Sequence, residues 1–263
     1  MIKDDRFDGG RPFDWGKASE DYAKFRDIYP PEFYEKLISL GLYERGTSVL
    51  DIGTGTGVLP RALYNTGVQF TGTDLSAEQI TQAKRISAEN GMDILFEVGG
   101  AEEKLFSDNS FDVITACQCY WYFDHEKAAK TLYSQLKPHG RLAFIVMNWL
   151  PFEDEIASDS EKMVLKFNPT WNGCGFKRSL IEAPQEYLEY FTVERQEQLD
   201  LRVPFTRESW HGRMKACRGV GASLNVEDYA RFDKEHFEML KKYPESFEIL
   251  HYAAITILRS NKE

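Results

Sequence analysis

Short apolar runs alternate with amphipathic stretches along the middle of the chain, from residue 48 to residue 149. Apolar runs bounded by turn residues predict buried strands, and apolar positions that recur every three to four residues predict helices. The predicted strands are SVLDIG, VQFTGTD, DILFEVG, FDVITAC and RLAFIVMNW, and the predicted helices between them are VLPRALYNTG, SAEQITQAKRISAENG and HEKAAKTLYSQLKPHG. This alternation is typical of a parallel, doubly wound α/β sheet.

The two ends of the chain have other patterns. Residues 19–29 have a helical spacing with Tyr22, Phe25, Arg26 and Tyr29 on one face, and a second helix follows Pro30-Pro31 and ends at Gly41. Beyond residue 149 the pattern predicts an irregular insertion at 150–180, a strand in TVERQEQLDLRV, helices within 206–243 and a last strand in FEILHYAAITILR. We therefore predict one domain with its core at about 42–150, 190–203 and 246–260, and a helical cap built from 1–41, 150–180 and 204–245.

Composition narrows the class of protein. The 263 residues include 42 acidic and 32 basic side chains, so the net charge is −10, which disfavours nucleic acid and anionic membranes as partners. No apolar run reaches the ~18 residues of a membrane-spanning helix, and the first ten residues lack the apolar stretch of a signal peptide. Four cysteines are too few for a disulfide scaffold. We expect a cytoplasmic protein, monomeric or homodimeric.

A glycine-rich loop carries the clearest functional signal. Gly53, Gly55 and Gly57 alternate directly after the first strand and open a helix, which is where ligands bind at the edge of a parallel sheet. Val58 stands where a dinucleotide fingerprint has its third small residue, so that fingerprint is matched poorly. Asp74 ends the second strand, where a carboxylate can accept both hydroxyls of a ribose, and Asp51 at the loop entrance favours a ligand with a cationic amino acid end.

The segments DIGTGTGVLPRAL, GTDLSAEQITQAK, GGAEEKLFSDNSFDVITAC and YSQLKPHGRLAFI together resemble the ordered motifs of class I S-adenosylmethionine-dependent methyltransferases. The resemblance covers about residues 15–150 and implies a Rossmann-like, seven-stranded, mostly parallel sheet with an antiparallel last strand. It also implies S-adenosylmethionine as the cofactor. Its implied contacts are Gly53, Thr54, Gly55 and Gly57 with the methionine part, Asp74 with the ribose, Leu75, Ser76, Ala101 and Glu102 with the adenine, and Cys117 and Gln118 beside the methyl group.

The resemblance extends to a helix that closes over the cofactor in many members. Tyr22, Arg26 and Tyr29 resemble its YxxxRxxY pattern, which implies that Arg26 pairs with the methionine carboxylate. An exposed helix arginine is the alternative for Arg26.

Candidate acceptor residues follow the fourth strand and lie in the cap. Trp121 and Tyr122 belong to CQCYWYFD, which is similar to the QAxHWFD stretch of small-acid methyltransferases such as trans-aconitate methyltransferase. This similarity implies a small-molecule acceptor, with a carboxylic acid as one option, whereas packing against the cap is the other explanation of these aromatic rings. The remaining candidates are Tyr29 as an acceptor contact, Trp149 as a pocket wall, Arg213 or Arg218 as a cation for an acid, and His125 or His211 as a general base.

Two other functions remain open at this point. A nicotinamide-dependent oxidoreductase is disfavoured by Val58 and by the lack of a Tyr-x-x-x-Lys pair after the fourth strand. A non-catalytic protein that binds S-adenosylmethionine would carry the same cofactor motifs. Cys117 and Cys119 have no partners at metal-ligand spacing, so we expect no metal site.

Overall fold

The fold is known from a computed structural model, which describes residues 2–18 and 23–263. Its centre is a seven-stranded sheet with the order β3-β2-β1-β4-β5-β7-β6. The strands are β1 (Ser48–Ile52), β2 (Gln69–Asp74), β3 (Leu95–Val98), β4 (Phe111–Cys117), β5 (Leu136–Trp149), β6 (Phe191–Thr206) and β7 (Ser246–Ser260). The labelled helices are α1 (Pro31–Ser39), α2 (Val58–Ala62), α3 (Ala77–Glu89), α4 (His125–Gln135), α5 (Glu155–Phe167), α6 (Arg207–Lys215) and α7 (Val226–Leu240).

The first five strands run parallel, and the last strands are antiparallel. β1 lies between β2 and β4, and its Leu50 pairs with Thr71 on one side and Ile114 on the other. Every residue of β1 after Ser48 is buried, as expected for a parallel strand with both faces covered. The predicted doubly wound sheet is confirmed.

The chain divides into two compact units. The sheet unit consists of Pro31–Met147, Ser179–Leu199 and Ala253–Glu263, and it contains α1 to α4. The α5–α7 unit consists of Met1–Pro30, Asn148–Arg178 and Asp200–Tyr252.

The prediction of an irregular insertion at 150–180 is wrong for its first half, because this segment contains α5. The buried face of α5 includes Ser160 and Glu161 beside Ala157, Val164 and Phe167. These polar residues interrupt the apolar 3.6-residue period by which an amphipathic helix is recognised in a sequence. Asp154 begins the helix, since its side chain accepts a hydrogen bond from the Ala157 N–H at 3.0 Å.

The N-terminal helix is shorter than its pattern predicts. Residues 19–22 lie outside the described residues, residues 23–25 are helical, and residues 26–30 are not. Pro30 contributes to this early end, because a proline disfavours helical backbone at the preceding residue, here Tyr29. Arg26 and Tyr29 are therefore not on the helical face that the spacing predicted. The second helix is confirmed as α1, and Gly41 follows it with a φ of 72°.

A buried ion pair holds the N-terminal segment within the α5–α7 unit. Arg218 donates from Nε to Asp8 Oδ2 at 3.0 Å and from Nη2 to Oδ1 at 2.9 Å. Its guanidinium carbon lies 4.7 Å from the ring centre of Phe7 and 5.8 Å from that of Phe13. Both partners are nearly inaccessible, at 1% and 8% exposure for Asp8 and Arg218. A pair of this kind becomes costly when one partner is removed, because the other charge stays buried.

We expect Arg218→Met to lower the free energy of unfolding by about 3–5 kcal/mol, because it leaves the Asp8 carboxylate buried without its cation. The double variant Asp8→Asn with Arg218→Met should be more stable than Arg218→Met alone. Urea denaturation measures both. Arg231→Met, which removes an exposed guanidinium 3.5 Å from Asp228, is the control and should change stability by less than about 1 kcal/mol. A double variant no more stable than the single one would contradict this account.

Candidate active site

The glycine loop between β1 and α2 adopts a backbone that only glycine accommodates easily. Gly53, Gly55 and Gly57 have φ values of 62°, 58° and 77°, in the left-handed region that a Cβ disfavours. A Cβ on Gly53 would also lie 2.7 Å from the Cβ and Sγ of Cys119. The loop therefore brings its backbone closer to neighbouring groups than any side chain would allow.

Asp51 is a buried carboxylate beneath this loop. Its Oδ2 accepts a hydrogen bond from Thr54 Oγ1 and its Oδ1 accepts one from Thr115 Oγ1, both at 2.7 Å. Burial raises the pKa of Asp51 to about 6, although the two threonine hydrogen bonds favour the ionised form. At neutral pH the Asp51 side chain is therefore ionised, although its burial makes ionisation costly.

Asp74, at the end of β2, connects the glycine loop with the start of α3. Its Oδ2 accepts from the Gly55 N–H and its Oδ1 from the Ser76 N–H, each at 2.9 Å. Burial raises the pKa of this carboxyl above its usual range. Each carboxylate oxygen has a second lone pair, so Asp74 can accept further hydrogen bonds while it stays fixed by the backbone.

The predicted adenine-side residues occupy two neighbouring segments of the sheet unit. Leu75 is 61% exposed, and Ser76 is the N-cap of α3, where it accepts a hydrogen bond from the Gln79 N–H. Ala101 is buried. Glu102 reaches the segment that follows β4, because its Oε1 accepts from the Asp124 N–H at 2.8 Å.

The residues after β4 are held by contacts with adjacent strands. Cys117 is half-buried at the end of β4, and Gln118 has a φ of 63° with its side-chain amide donating to the Met147 carbonyl. Cys119 Sγ lies 3.1 Å from the Ile52 carbonyl oxygen. The sequence offered no reason to place Cys119 in a metal site. Its packing against the glycine loop was not predicted, because no local sequence pattern indicates such a long-range contact.

The aromatic string continues from there as a short turn of 3-10 helix, in which Trp121 and Tyr122 are half-buried. The ring of Tyr120 lies 5.1 Å from that of Phe144 between their centres. His125 begins α4, and its ring centre is 5.7 Å from the ring of Tyr187.

Tyr187 is a buried residue that the sequence did not indicate. Its hydroxyl has no hydrogen-bond partner among the described residues. Burial and the nearby Glu102 and Cys119 raise the pKa of Tyr187 far above its usual range. The tyrosine lies in the segment 179–199, for which the sequence indicated no site residue.

The candidate acceptor residues of the cap lie in the α5–α7 unit. Trp149 is buried, and its indole Nε1 donates to Glu161 Oε1 at 2.6 Å. Arg213 is 4% exposed, with its guanidinium carbon 5.1 Å from the Trp149 ring centre. Its Nη1 lies 3.1 Å from Cys217 Sγ. Arg218 forms the ion pair with Asp8.

His211 belongs to a hydrogen-bonded network within the same unit. Its Nδ1 lies 2.8 Å from His236 Nδ1, and its Nε2 lies 3.0 Å from Asp233 Oδ1. The other ring nitrogen of His236 lies 3.0 Å from Ser160 Oγ. Burial is the main reason why the pKa of His236 falls to about 3. Both ring nitrogens of His211 therefore contact protein groups.

The remaining candidates come from the N-terminal segment. Tyr22 lies outside the described residues, while Arg26 and Tyr29 are half-buried in the non-helical stretch 26–30. Among the described helices, none is long and apolar enough to cross a membrane.

A family model described as a methyltransferase domain matches residues 43–195, which is more than half of the chain. An uncharacterized methyltransferase from Schizosaccharomyces pombe is 26% identical over 228 residues, which cover 85% of this chain and 86% of that protein. A ubiquinone biosynthesis O-methyltransferase from Pseudomonas entomophila is 27% identical over 59% of this chain and 66% of its own length. The chain spans about half to two thirds of the length of this enzyme and of several other curated relatives, with shares of 48–66%.

The fold is also similar to solved structures. The protein solved under the heading "Conversion of a Disulfide Bond into a Thioacetal Group during Echinomycin Biosynthesis" superposes with a TM-score of 0.56 at 19% identity, covering 96% of this chain and 87% of that one. At this identity the likeness concerns the fold alone. The family match, the order of the motifs and the geometry of the glycine loop agree, and the chain belongs to the class I S-adenosylmethionine-dependent methyltransferases.

Proposed function

We propose that this methyltransferase acts on a small-molecule acceptor, and that a carboxylic acid is the class to test first. The observation that carries the proposal is the burial of Arg213, which is only 4% exposed and lies over the Trp149 ring. A nucleic acid is bound through exposed basic side chains that reach many phosphates. A buried guanidinium is suited instead to one small anionic group. The relative named for ubiquinone biosynthesis supports a small acceptor as well.

Within this proposal Arg213 is the cation that receives an acidic acceptor. Arg218 is less suitable, because its Nε and Nη2 already donate to Asp8. Trp149 supports Arg213 by offering its ring face to the guanidinium. Trp121, Tyr122 and Tyr29 are further candidate contacts of the acceptor.

We further propose which residues hold the cofactor. The left-handed glycine loop leaves room for the methionine part, and the carboxylates of Asp51 and Asp74 suit its ammonium group and the ribose hydroxyls, so the residues fit the cofactor. The full proposed set is Tyr22, Arg26, Asp51, Gly53, Thr54, Gly55, Gly57, Asp74, Leu75, Ser76, Ala101, Glu102, Cys117 and Gln118.

When bound, S-adenosylmethionine supplies an activated methyl group on a sulfonium. The task left to the protein is to orient the acceptor and to exclude water. His125 and His211 remain the candidate bases for an acceptor that must lose a proton. Of the two, His211 is the more constrained, since Asp233 and His236 contact its ring nitrogens.

Asp74→Ala should weaken S-adenosylmethionine binding by about 1.5–3 kcal/mol, because the ribose hydroxyls lose a charged acceptor. Calorimetric titration measures the change. Asp112→Ala is the matched control, since it removes a carboxylate of the same unit that binds Lys137 Nζ and the Ser48 N–H at 2.8 Å each. The control should lower stability and leave cofactor affinity unchanged. Equal affinity for wild type and Asp74→Ala would refute the ribose assignment.

Asp51→Asn should stabilise the fold and weaken the binding of the cofactor. The folded chain raises the pKa of Asp51 from 3.8 to about 6, so ionisation of Asp51 destabilises the fold as pH rises through this window, with the full effect above pH 6. Removing the charge should raise the free energy of unfolding at pH 8 by about 2–3 kcal/mol, and by less at pH 5. Urea denaturation at both pH values measures this.

Cofactor affinity gives the second readout for Asp51. In the wild type, S-adenosylmethionine should bind more weakly as pH falls below about 6. Protonation of Asp51 removes the negative charge that attracts the ammonium group of the cofactor. Asp51→Asn should bind weakly at pH 8 and lose this pH dependence. A variant that is stabilised yet binds as tightly as wild type would show that Asp51 is not the ammonium partner.

The acceptor class is tested by formation of S-adenosylhomocysteine in a panel of small carboxylic acids, phenols and amines. Turnover should be highest with acids, and Arg213→Met should raise KM for them at least tenfold with little change in cofactor affinity. Arg231→Met serves as the control, since it removes an exposed arginine of the same unit. Turnover confined to uncharged acceptors would refute the acid proposal, and product formation on RNA or DNA alone would refute the small-molecule proposal.

A further inference from the structure

His251 on β7 is a fully buried histidine within the α5–α7 unit. Its Nδ1 lies 2.9 Å from the Ile249 carbonyl oxygen. A carbonyl can only accept a hydrogen bond, so Nδ1 carries a proton. This contact fixes the tautomer of the ring.

The other nitrogen of this ring is therefore an acceptor. Burial, together with a smaller effect of the Arg213 charge, lowers the pKa of His251 to about 3, so the ring is neutral at neutral pH. Neutral and protonated on Nδ1, it presents a lone pair at Nε2. Nε2 is buried and has no hydrogen-bond partner among the described residues.

The two indole N–H groups next to His251 donate to other residues. Trp149 donates its indole N–H to Glu161, and Trp210 donates its indole N–H to Ser160 Oγ at 2.9 Å. His236, a buried histidine of the same unit, differs from His251, since each of its two ring nitrogens lies within 3.0 Å of a polar atom. A buried acceptor without a donor is costly, and such a group calls for a specific explanation.

Aromatic rings pack around His251, and rings of this kind also stack on flat ligands. The His251 ring stacks on Phe205 at 6.1 Å between centres and meets the edges or faces of Trp149 and Trp210 at 6.4 Å. Arg213 lies over the same Trp149 ring, with its guanidinium carbon 5.1 Å from the ring centre. One unit thus brings together a cation, a lone pair and three aromatic rings.

We propose that His251 Nε2 accepts a hydrogen bond from a hydroxyl or amine of the methyl acceptor, while Arg213 binds the anionic group of the same molecule. The acceptor is then a flat acid that carries an O–H or N–H donor. This assignment rests on the proposed function and narrows its substrate class. His251 acts here as a residue that determines specificity.

The test compares the binding of benzoate with that of the three hydroxybenzoates and the three aminobenzoates, in the presence of S-adenosylhomocysteine. At least one donor-bearing isomer should bind about tenfold more tightly than benzoate to the wild-type chain. His251→Leu should remove this advantage and leave the affinities for benzoate and S-adenosylhomocysteine unchanged. His251→Gln retains an acceptor and should restore part of the advantage. If the hydroxybenzoates bind more tightly than the aminobenzoates, the site prefers a hydroxyl donor; the reverse order indicates an amine donor.

Two results would overturn the assignment: no donor-bearing isomer binds more tightly than benzoate, or the advantage survives in His251→Leu. Stability distinguishes a ligand-binding role from a structural one. His251→Leu breaks one hydrogen bond, to the Ile249 carbonyl, and also removes an unpaired buried acceptor, so it should lower the unfolding midpoint much less than His236→Leu, which breaks two hydrogen bonds. A midpoint lowered as far as in His236→Leu would indicate a structural role for His251.

The two proposals can fail separately. If the donor advantage depends on His251 but no S-adenosylhomocysteine forms with any acid, the binding site stands and the proposed function fails. If acids are methylated but benzoate is bound as tightly as its hydroxy and amino derivatives, the proposed function stands and the role of His251 fails.

Discussion

The parallel pairing of β1 between β2 and β4 is the constraint on which the cofactor site depends. It places Asp51 beside Gly72 and Thr115 in register, so that the carboxyl ends of three strands meet at one edge. The chain leaves β1 through the left-handed glycine loop, and Asp74 at the end of β2 binds the Gly55 N–H of that loop. Backbone pairing thereby aligns two carboxylates that are far apart in the sequence.

The site keeps charges where folding alone would not favour them. Asp51 is buried with a raised pKa, and the hydroxyls of Thr54 and Thr115 compensate only part of the desolvation cost. Asp74 is fixed by two backbone N–H groups. Residues that are costly in the fold and suited to a ligand are typical of functional sites. The same argument applies to His251, whose Nε2 is buried without a donor.

In the α5–α7 unit, chemically identical residues have different environments. Arg213 and Arg218 are five positions apart, yet one lies on the face of Trp149 and the other pairs with Asp8. The histidines differ in the same way, since His236 is bonded through both nitrogens and His251 through one. Which of them can serve a ligand depends on contacts with residues far away in the chain.

The sequence by itself determined the sheet, the order of its helices and strands, and the glycine loop, because local periodicity and turn residues specify these features. It also indicated Asp51 and Asp74, since each stands at the end of a predicted strand. It did not show α5, whose buried face carries Ser160 and Glu161, or the early end of the helix before Pro30. Tertiary structure alone decided the roles available to Arg218, Cys119, Tyr187 and His251. Their burial and partners arise from long-range packing, which leaves no periodic trace in the sequence around them.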